Sequence, residues 1–258
     1  MKRKTITIIV MIILSAIPLC GCDTTVNKFV SAIREADGDT SKNIYNQESN
    51  TDTTYSPPLK SSELNNIPEF TNEPYVEINN NQPFFTNEEF TTSSYEYYSD
   101  LDALGRCGVC YACIGTDIMP TEERGPIGMV KPSGWQIAKY DFVDGKYLYN
   151  RCHLIGFQLA GENANEKNLI TGTRYLNVTG MLPFENEVAG YVRKTNNHVM
   201  YRVSPIFEGN NLVANGVLME AYSVEDSGEG VCFNVYCYNA QPSVKIDYAT
   251  GNNSKEND

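Results

Sequence analysis

Apolar residues are distributed unevenly along this chain of 258 residues, and that distribution limits which part of it can fold. Residues 5–19 form one apolar run, whereas residues 23–94 are rich in Asn, Thr, Ser and Glu. A segment with few apolar side chains cannot bury enough surface to offset the entropy that it loses on ordering. We therefore expect a disordered polar stalk over 23–94, a single folded domain over 95–251 and a flexible tail over 252–258.

The N-terminus has the layout of a secretory signal. Three basic residues, 2–4, precede the apolar run, which is too short for an ordinary membrane-spanning helix. Residues 19–22, Leu-Cys-Gly-Cys, resemble the lipobox of bacterial lipoproteins. This resemblance implies a signal peptide over 1–22, a lipidated Cys22 and an extracytoplasmic protein anchored to the cell membrane by lipid alone. An ordinary signal peptide with chance cysteines is the alternative.

The formal net charge of −12 argues at first against a nucleic-acid partner. Most of the excess lies in the predicted stalk, because residues 23–96 contain four basic and 13 acidic residues. Residues 97–251 contain 12 basic and 17 acidic residues, so the predicted domain is only mildly acidic. An enzyme that must release its product can work with a local cationic patch, and the charge therefore leaves a nucleic-acid substrate open.

Six cysteines remain beyond the predicted signal. In an extracytoplasmic domain, disulfides or buried free thiols are the expectation. Cys232 and Cys237 are five residues apart on a predicted strand and should face opposite ways, so we do not expect them to pair. A zinc or iron–sulfur site at the three cysteines spaced three residues apart, Cys107, Cys110 and Cys113, is the alternative. The six are Cys107, Cys110, Cys113, Cys152, Cys232 and Cys237.

Hydrophobic periodicity predicts an α+β domain with a mainly antiparallel sheet. Residues 134–140 and 146–154 are predicted to form a hairpin around the Asp144-Gly145 turn. After a polar loop we expect a short helical segment over 173–180, ended by Gly180, and then a longer helix. That helix would carry its apolar face at 184, 188, 191 and 192. In the C-terminal third we expect three strands, over 198–207, 212–222 and 231–238.

The candidate chemistry centres on one of two histidines. His198 begins an alternating strand and is interpreted as structural. His153 ends the sequence Asn150-Arg151-Cys152-His153, and Asn177 and Glu185 follow it. This ordered set resembles the DNA/RNA non-specific endonucleases, the ββα-metal or His-Me finger nucleases, in which the four-residue motif reads Asp-Arg-Gly-His. The resemblance covers residues 101–251 approximately and implies a ββα-metal fold, with a helical crossover that carries the metal ligand.

The resemblance also implies a role for each residue. His153 would be the general base for a water molecule, and Asn177 with Glu185 would hold one hydrated Mg²⁺ or Mn²⁺ ion. Arg151, on the same strand face as His153, would contact the scissile phosphate. We further expect Arg174 and Arg193 to contact backbone phosphates. Glu187 competes with Glu185, but the two lie about 200° apart around a helix, so that only one can face the ion.

The implied activity is sequence-non-specific hydrolysis of DNA, with RNA as a second candidate substrate; no protein partner is indicated. Two substitutions depart from the family motif. Asn150 loses a charge, and Cys152 would be strained if the backbone needed a positive φ there. They leave open a catalytically weak or inactive cell-surface lipoprotein that binds nucleic acid. Asn168 is expected to fix the loop beside the site.

Overall fold

The computed structural model describes residues 67–256, which form an α+β domain. Its main sheet is antiparallel and has the order β1-β8-β7-β6-β3-β2, while β4 pairs with β5 and β9 with β10. The strands of the described chain are β1 (Tyr75–Glu77), β2 (Tyr95–Tyr98), β3 (Cys110–Ile114), β4 (Tyr149–His153), β5 (Leu169–Thr173), β6 (Val199–Ile206), β7 (Gly216–Ser223), β8 (Cys232–Tyr238), β9 (Val244–Ile246) and β10 (Asn253–Lys255).

The helices are α1 (Phe157–Ala160) and α2 (Leu182–Thr195), and a π-helical turn, Leu176–Met181, runs directly into α2. The predicted short helical segment is therefore present, but it does not end at Gly180. The predicted face of the longer helix is confirmed where α2 buries Val188 and Val192 against the main sheet. Pro183 is the second residue of α2 and has no N–H to donate to the preceding turn.

The two faces of the main sheet bury different sets of side chains, because successive residues of a strand alternate between its faces. Val217, Met219 and Ala221 of β7 pack with α2 and β4 in the larger core. Leu218 of β7 and Tyr236 of β8 point the other way, into a smaller core. The predicted C-terminal strands are confirmed by β6, β7 and β8, which form the centre of this sheet.

The smaller core corrects the predicted start of the domain. Ile78, only 8 % exposed, belongs to it, and Phe70 and Phe84 pack against it. β1 pairs with β8 and forms one edge of the main sheet. β10, which lies inside the predicted C-terminal tail, pairs with β9. The folded unit thus includes 67–94 and 252–256, because a few apolar side chains spaced among polar ones are enough to cover an existing sheet face.

A buried ion pair fixes this N-terminal segment to the sheet. Arg202 of β6 lies opposite Glu220 of β7, and its Nε donates to Glu220 Oε2 at 2.7 Å while Nη2 donates to Oε1 at 2.9 Å. The same guanidinium donates to Glu89 at 3.0 Å, and Glu220 Oε1 accepts from the backbone N–H of Phe84 at 2.8 Å. Two segments distant in sequence therefore share one charged cluster.

The predicted hairpin of 134–140 with 146–154 is present only next to its turn. Residues 134–140 contribute only the isolated bridge between Lys139 and Tyr147, and β4 pairs instead with β5. All five residues of β5 are buried, so by pairing with β5 the strand β4 lies against the core. Alternation alone does not show which strand is the partner.

The six cysteines are free thiols, and no disulfide joins them. Cys107 Sγ donates to the carbonyl oxygens of Glu166 and Leu169, whereas Cys113 Sγ donates to that of Thr91. Cys110 Sγ faces the carbonyl oxygen of Lys167, in the same loop as the acceptors of Cys107, but Cys113 points elsewhere, so the three thiols of the zinc or iron–sulfur alternative do not converge on one point. Within residues 67–256, no group of three His, Cys, Asp or Glu side chains could hold a metal ion. No helix of that range has the length and apolar character needed to cross a membrane.

If residues 67–94 belong to the domain, Ile78→Ala should lower the free energy of unfolding by about 2–4 kcal/mol, because it leaves a cavity beneath the sheet. Glu77→Ala, at the exposed neighbouring position in β1, should change it by less than about 0.5 kcal/mol. Chemical denaturation measures both values. Equal stability of the two variants would contradict the assignment.

Candidate active site

A cavity of about 770 Å³ opens where β4, the π-helical turn and the first turn of α2 meet. It brings together five predicted site residues. Arg124 lines the same cavity and was missed by the sequence analysis. Its loop has no hydrophobic periodicity that would place it in space, so no sequence signal pointed to it. The predicted residues in the lining are Arg151, His153, Arg174, Asn177 and Glu185.

His153 is the last residue of β4 and is only 6 % exposed. Its Nε2 lies 2.7 Å from the backbone oxygen of Asn163, and its Nδ1 lies 3.3 Å from Nη2 of Arg124. A carbonyl oxygen only accepts hydrogen bonds, so Nε2 carries the proton of the neutral ring. Nδ1 is then the basic nitrogen, and it faces a guanidinium that can only donate.

The surroundings of His153 favour its neutral form. Burial lowers its pKa to about 4, the hydrogen bond to the Asn163 carbonyl opposes this shift, and the charge of Arg124 adds to it. At neutral pH the ring is therefore unprotonated. An imidazole in this state can take up a proton at Nδ1.

Asn177 lies in the π-helical turn, where the N–H of Leu182 donates to its backbone oxygen five residues earlier. Such wide turns are frequent at functional sites. The side-chain Nδ2 donates to Oδ1 of Asn150 at 3.3 Å, which directs the amide and leaves its own oxygen for another partner. Asn150 thus retains an orienting function despite lacking the charge of an aspartate.

Glu185, in the first turn of α2, lies against Gly156. A Cβ atom at residue 156 would be 2.7 Å from the carboxylate carbon of Glu185, so a glycine is needed there. Burial raises the pKa of Glu185 to about 7, while a hydrogen bond from Gln158 and the charge of Arg124 lower it. Its neighbour Glu187 is exposed and lies outside the cavity lining, which favours Glu185 among the two candidates.

The cavity is cationic although the protein is acidic. Among the described residues, three arginines and one glutamate line it. Arg151 donates to the backbone oxygens of Val130 and Gly128, the latter at 2.8 Å, and its guanidinium lies 4.0 Å from the Trp135 ring centroid. Arg174 makes an ion pair with Asp144 at 2.7 Å. Arg124 is the arginine directed at the histidine.

Other predicted residues lie at the edge of the site or away from it. Asn168 accepts from the N–H of Ile155 at 2.8 Å and donates to its carbonyl at 3.0 Å, so it fixes the loop after His153 as expected. Arg193, eight residues beyond Glu185 in α2, does not line the cavity, and its contact with substrate stays a prediction. His198 instead contacts Glu225 at 2.6 Å.

Cys152 is accommodated without backbone strain, since its φ is not among the positive values of the described residues. Its sulfur occupies space left by Gly172 on β5, where a Cβ atom would come within 2.3 Å of it. A glycine on the neighbouring strand therefore makes room for a thiol where the family motif has glycine. This finding removes the steric argument for an inactive protein.

A two-stranded ribbon followed by a helix, with a histidine at the end of the first strand, is the ββα arrangement of a nuclease. A sequence model of the DNA/RNA non-specific endonuclease family matches residues 86–225, which is more than half of the chain. The chain belongs to this family, and its activity is that of a hydrolytic, non-specific nuclease. The comparison with curated proteins found no match.

Solved structures agree with this assignment. NucA from Streptococcus agalactiae with magnesium bound is 27 % identical, with a TM-score of 0.65 over 76 % of this chain and 93 % of that one. The Sda1 nuclease with bound zinc is 24 % identical, with a TM-score of 0.57 over 69 % of this chain and 95 % of that one, and it supports the fold alone. The predicted ββα-metal fold is confirmed.

Arg124→Ala should raise the pKa of His153 from about 4 towards its ordinary value of 6.5, because removal of a cation and better hydration both favour the imidazolium. NMR titration of the metal-free protein measures this shift. With only two histidines in the chain, His198→Gln identifies the His153 signal. A wild-type His153 that titrates near 6.5 would refute the buried neutral state.

Proposed function

We propose that this nuclease hydrolyses phosphodiester bonds of DNA and RNA without sequence preference, with His153 as its general base. The observation that carries the proposal is the pair of contacts at the imidazole. Nε2 is fixed by the Asn163 carbonyl at 2.7 Å, and Nδ1, the acceptor nitrogen of the ring, lies 3.3 Å from Nη2 of Arg124 in the cavity lining. This arrangement leaves one basic nitrogen, at a defined position, at neutral pH.

The side chains of the cavity can then perform the hydrolysis. His153 Nδ1 takes a proton from a water molecule, whose oxygen forms a bond to phosphorus as the bond to the leaving sugar oxygen breaks. Arg124, adjacent to that nitrogen, holds the scissile phosphate and offsets the negative charge that develops on it. We assign Arg124 this role before Arg151, because two nitrogens of Arg151 already donate to backbone carbonyls.

The oxygen donors of the cavity fit one hydrated divalent ion, which we propose to be Mg²⁺ or Mn²⁺. Asn177 offers an amide oxygen, and Glu185 offers a carboxylate whose pKa is raised by burial. Few protein ligands suffice for an ion that keeps most of its waters. When bound, the ion supplies charge stabilisation for the phosphate and the leaving oxygen. The structure of NucA with magnesium supports this choice.

We also propose that the protein is a lipoprotein anchored at the outer side of the cell membrane. The support is the sequence of residues 19–22 and the basic and apolar segments before it. Cys22 lies outside the described residues. The anchor would leave the nuclease facing the medium, where DNA and RNA are available as substrates.

The activity is tested with supercoiled plasmid and with RNA. The wild type should degrade both in the presence of Mg²⁺ or Mn²⁺ and neither in the presence of EDTA. Binding through phosphates should also make the rate fall as salt is raised. Intact nucleic acid under all metal conditions, with a folded protein, would leave only a binding function.

The two central residues should fail in different ways. His153→Gly should lower turnover by about 10²-fold or more with metal affinity nearly unchanged, because only the base is lost. Added imidazole should restore part of that activity. Asn177→Ala should weaken metal binding, respond to more Mg²⁺ and show no imidazole rescue. His198→Gln and Asn210→Ala, the latter at an exposed turn position after β6 and outside the cavity lining, are the matched controls. Full activity of His153→Gly would exclude the proposed mechanism.

Lipidation is tested separately from catalysis. Cys22→Ala should leave the precursor uncleaved or release the protein into the medium, because the modified thiol is absent. Cell fractionation and the mass of the mature N-terminus measure the outcome, with Cys20→Ala as the control. A mature N-terminus elsewhere without lipid mass would disprove the anchor.

A further inference from the structure

Exposed apolar side chains are concentrated beside the active site. Of the seven large hydrophobic residues that are exposed in the described chain, four lie within residues 129–147. Ile137, 76 % exposed, and Tyr147, 49 % exposed, line the same cavity as His153. Apolar surface left open inside a functional cavity is typical of a contact surface for a ligand.

Trp135 and Tyr147 are the aromatic residues beside Ile137 in the cavity lining, which is called the apolar wall below. A cationic side chain contacts each of their rings. Lys139 and Tyr147 form a β-bridge, and Nζ of Lys139 lies 4.4 Å from the Tyr147 ring centroid. The Trp135 ring is covered by Arg151, whose guanidinium is itself held by backbone carbonyls. The rings therefore have a defined position before any ligand arrives, which lowers the entropy lost on binding.

The composition of the cavity identifies the occupant. Its lining includes Arg124 and the proposed catalytic residues, which suit a phosphate, and also Ile137 and Tyr147, which suit a flat apolar ring. A nucleotide combines both chemistries in one molecule. Every base has a π-face, so contact with such a wall is independent of sequence.

We propose that Ile137 and Tyr147 form a platform that receives the nucleobase next to the scissile phosphate, and that the nuclease therefore prefers unpaired strands. This inference rests on the proposed function of the same cavity. In a duplex the faces of a base are covered by its neighbours, and exposing them costs a few kcal/mol. Single-stranded DNA or RNA offers those faces at once.

The only tryptophan of the chain, Trp135, lines this cavity and reports binding without catalysis. Full-length His153→Gly in EDTA is titrated with oligothymidylate and with an abasic oligomer that has the same number of phosphates. Oligothymidylate should bind roughly tenfold more tightly and change the Trp135 fluorescence, the effect of one stacked base. Tyr147→Ala should remove about tenfold of the oligothymidylate affinity and leave the affinity for the abasic oligomer unchanged.

Tyr97→Ala is the matched control, because Tyr97 is 41 % exposed and lies on β2 against Tyr111, outside the cavity lining. Equal affinity for the two oligomers, or an equal loss in Tyr147→Ala and Tyr97→Ala, would overturn the platform. The platform would also be overturned if Ile137→Ser changed only the oligomeric state measured by light scattering and left the oligothymidylate affinity unchanged. The wall would then be covered by a second copy of the chain.

The platform and the nuclease mechanism fail independently. Cleavage that depends on His153 and metal, without any preference for base-bearing strands, removes the platform and leaves the proposed mechanism. Base-dependent binding that Tyr147→Ala weakens, without cleavage by the wild type, supports the platform and removes the mechanism.

Discussion

The pairing of β4 with β5 fixes the geometry on which the active site depends. It places His153 at the end of one strand, while the other strand leads into the π-helical turn with Asn177 and then into α2 with Glu185. The pairing is close because the sulfur of Cys152 fills space that Gly172 leaves open. A side chain at residue 172 would separate the strands and move the histidine relative to the helix. Base and metal-binding groups are therefore coupled through strand packing.

Long periodic elements were predictable, and isolated contacts were not. The helix α2 and the strands β6, β7 and β8 repeat their apolar positions over several turns or residue pairs, so one-dimensional patterns suffice for them. Residues 134–140 alternate like a strand yet form only one bridge, because strand pairing depends on tertiary packing. The placement of Ile78 and Phe84 on the sheet follows from a surface that the local sequence does not describe.

The site shows the same division. His153, Asn177 and Glu185 were proposed from an ordered motif and lie around one cavity. Arg124 and the Asn163 carbonyl complete the surroundings of the imidazole, but neither belongs to a repeating pattern.

The net charge of the chain was a poor guide to its substrate for a similar reason. Three arginines concentrated in one cavity create a local potential that the acidic total of −12 conceals.

The buried thiols affect how the domain can be produced. Burial raises the pKa of Cys107 and of Cys113 to about 12, so both stay protonated and poorly nucleophilic at neutral pH. Folding of residues 67–256 requires no sulfur–sulfur bond. The described fold is therefore held without an oxidant, and Cys232 is its one half-buried thiol. A reducing bacterial cytoplasm should yield the domain with the same architecture as an oxidising secretory route.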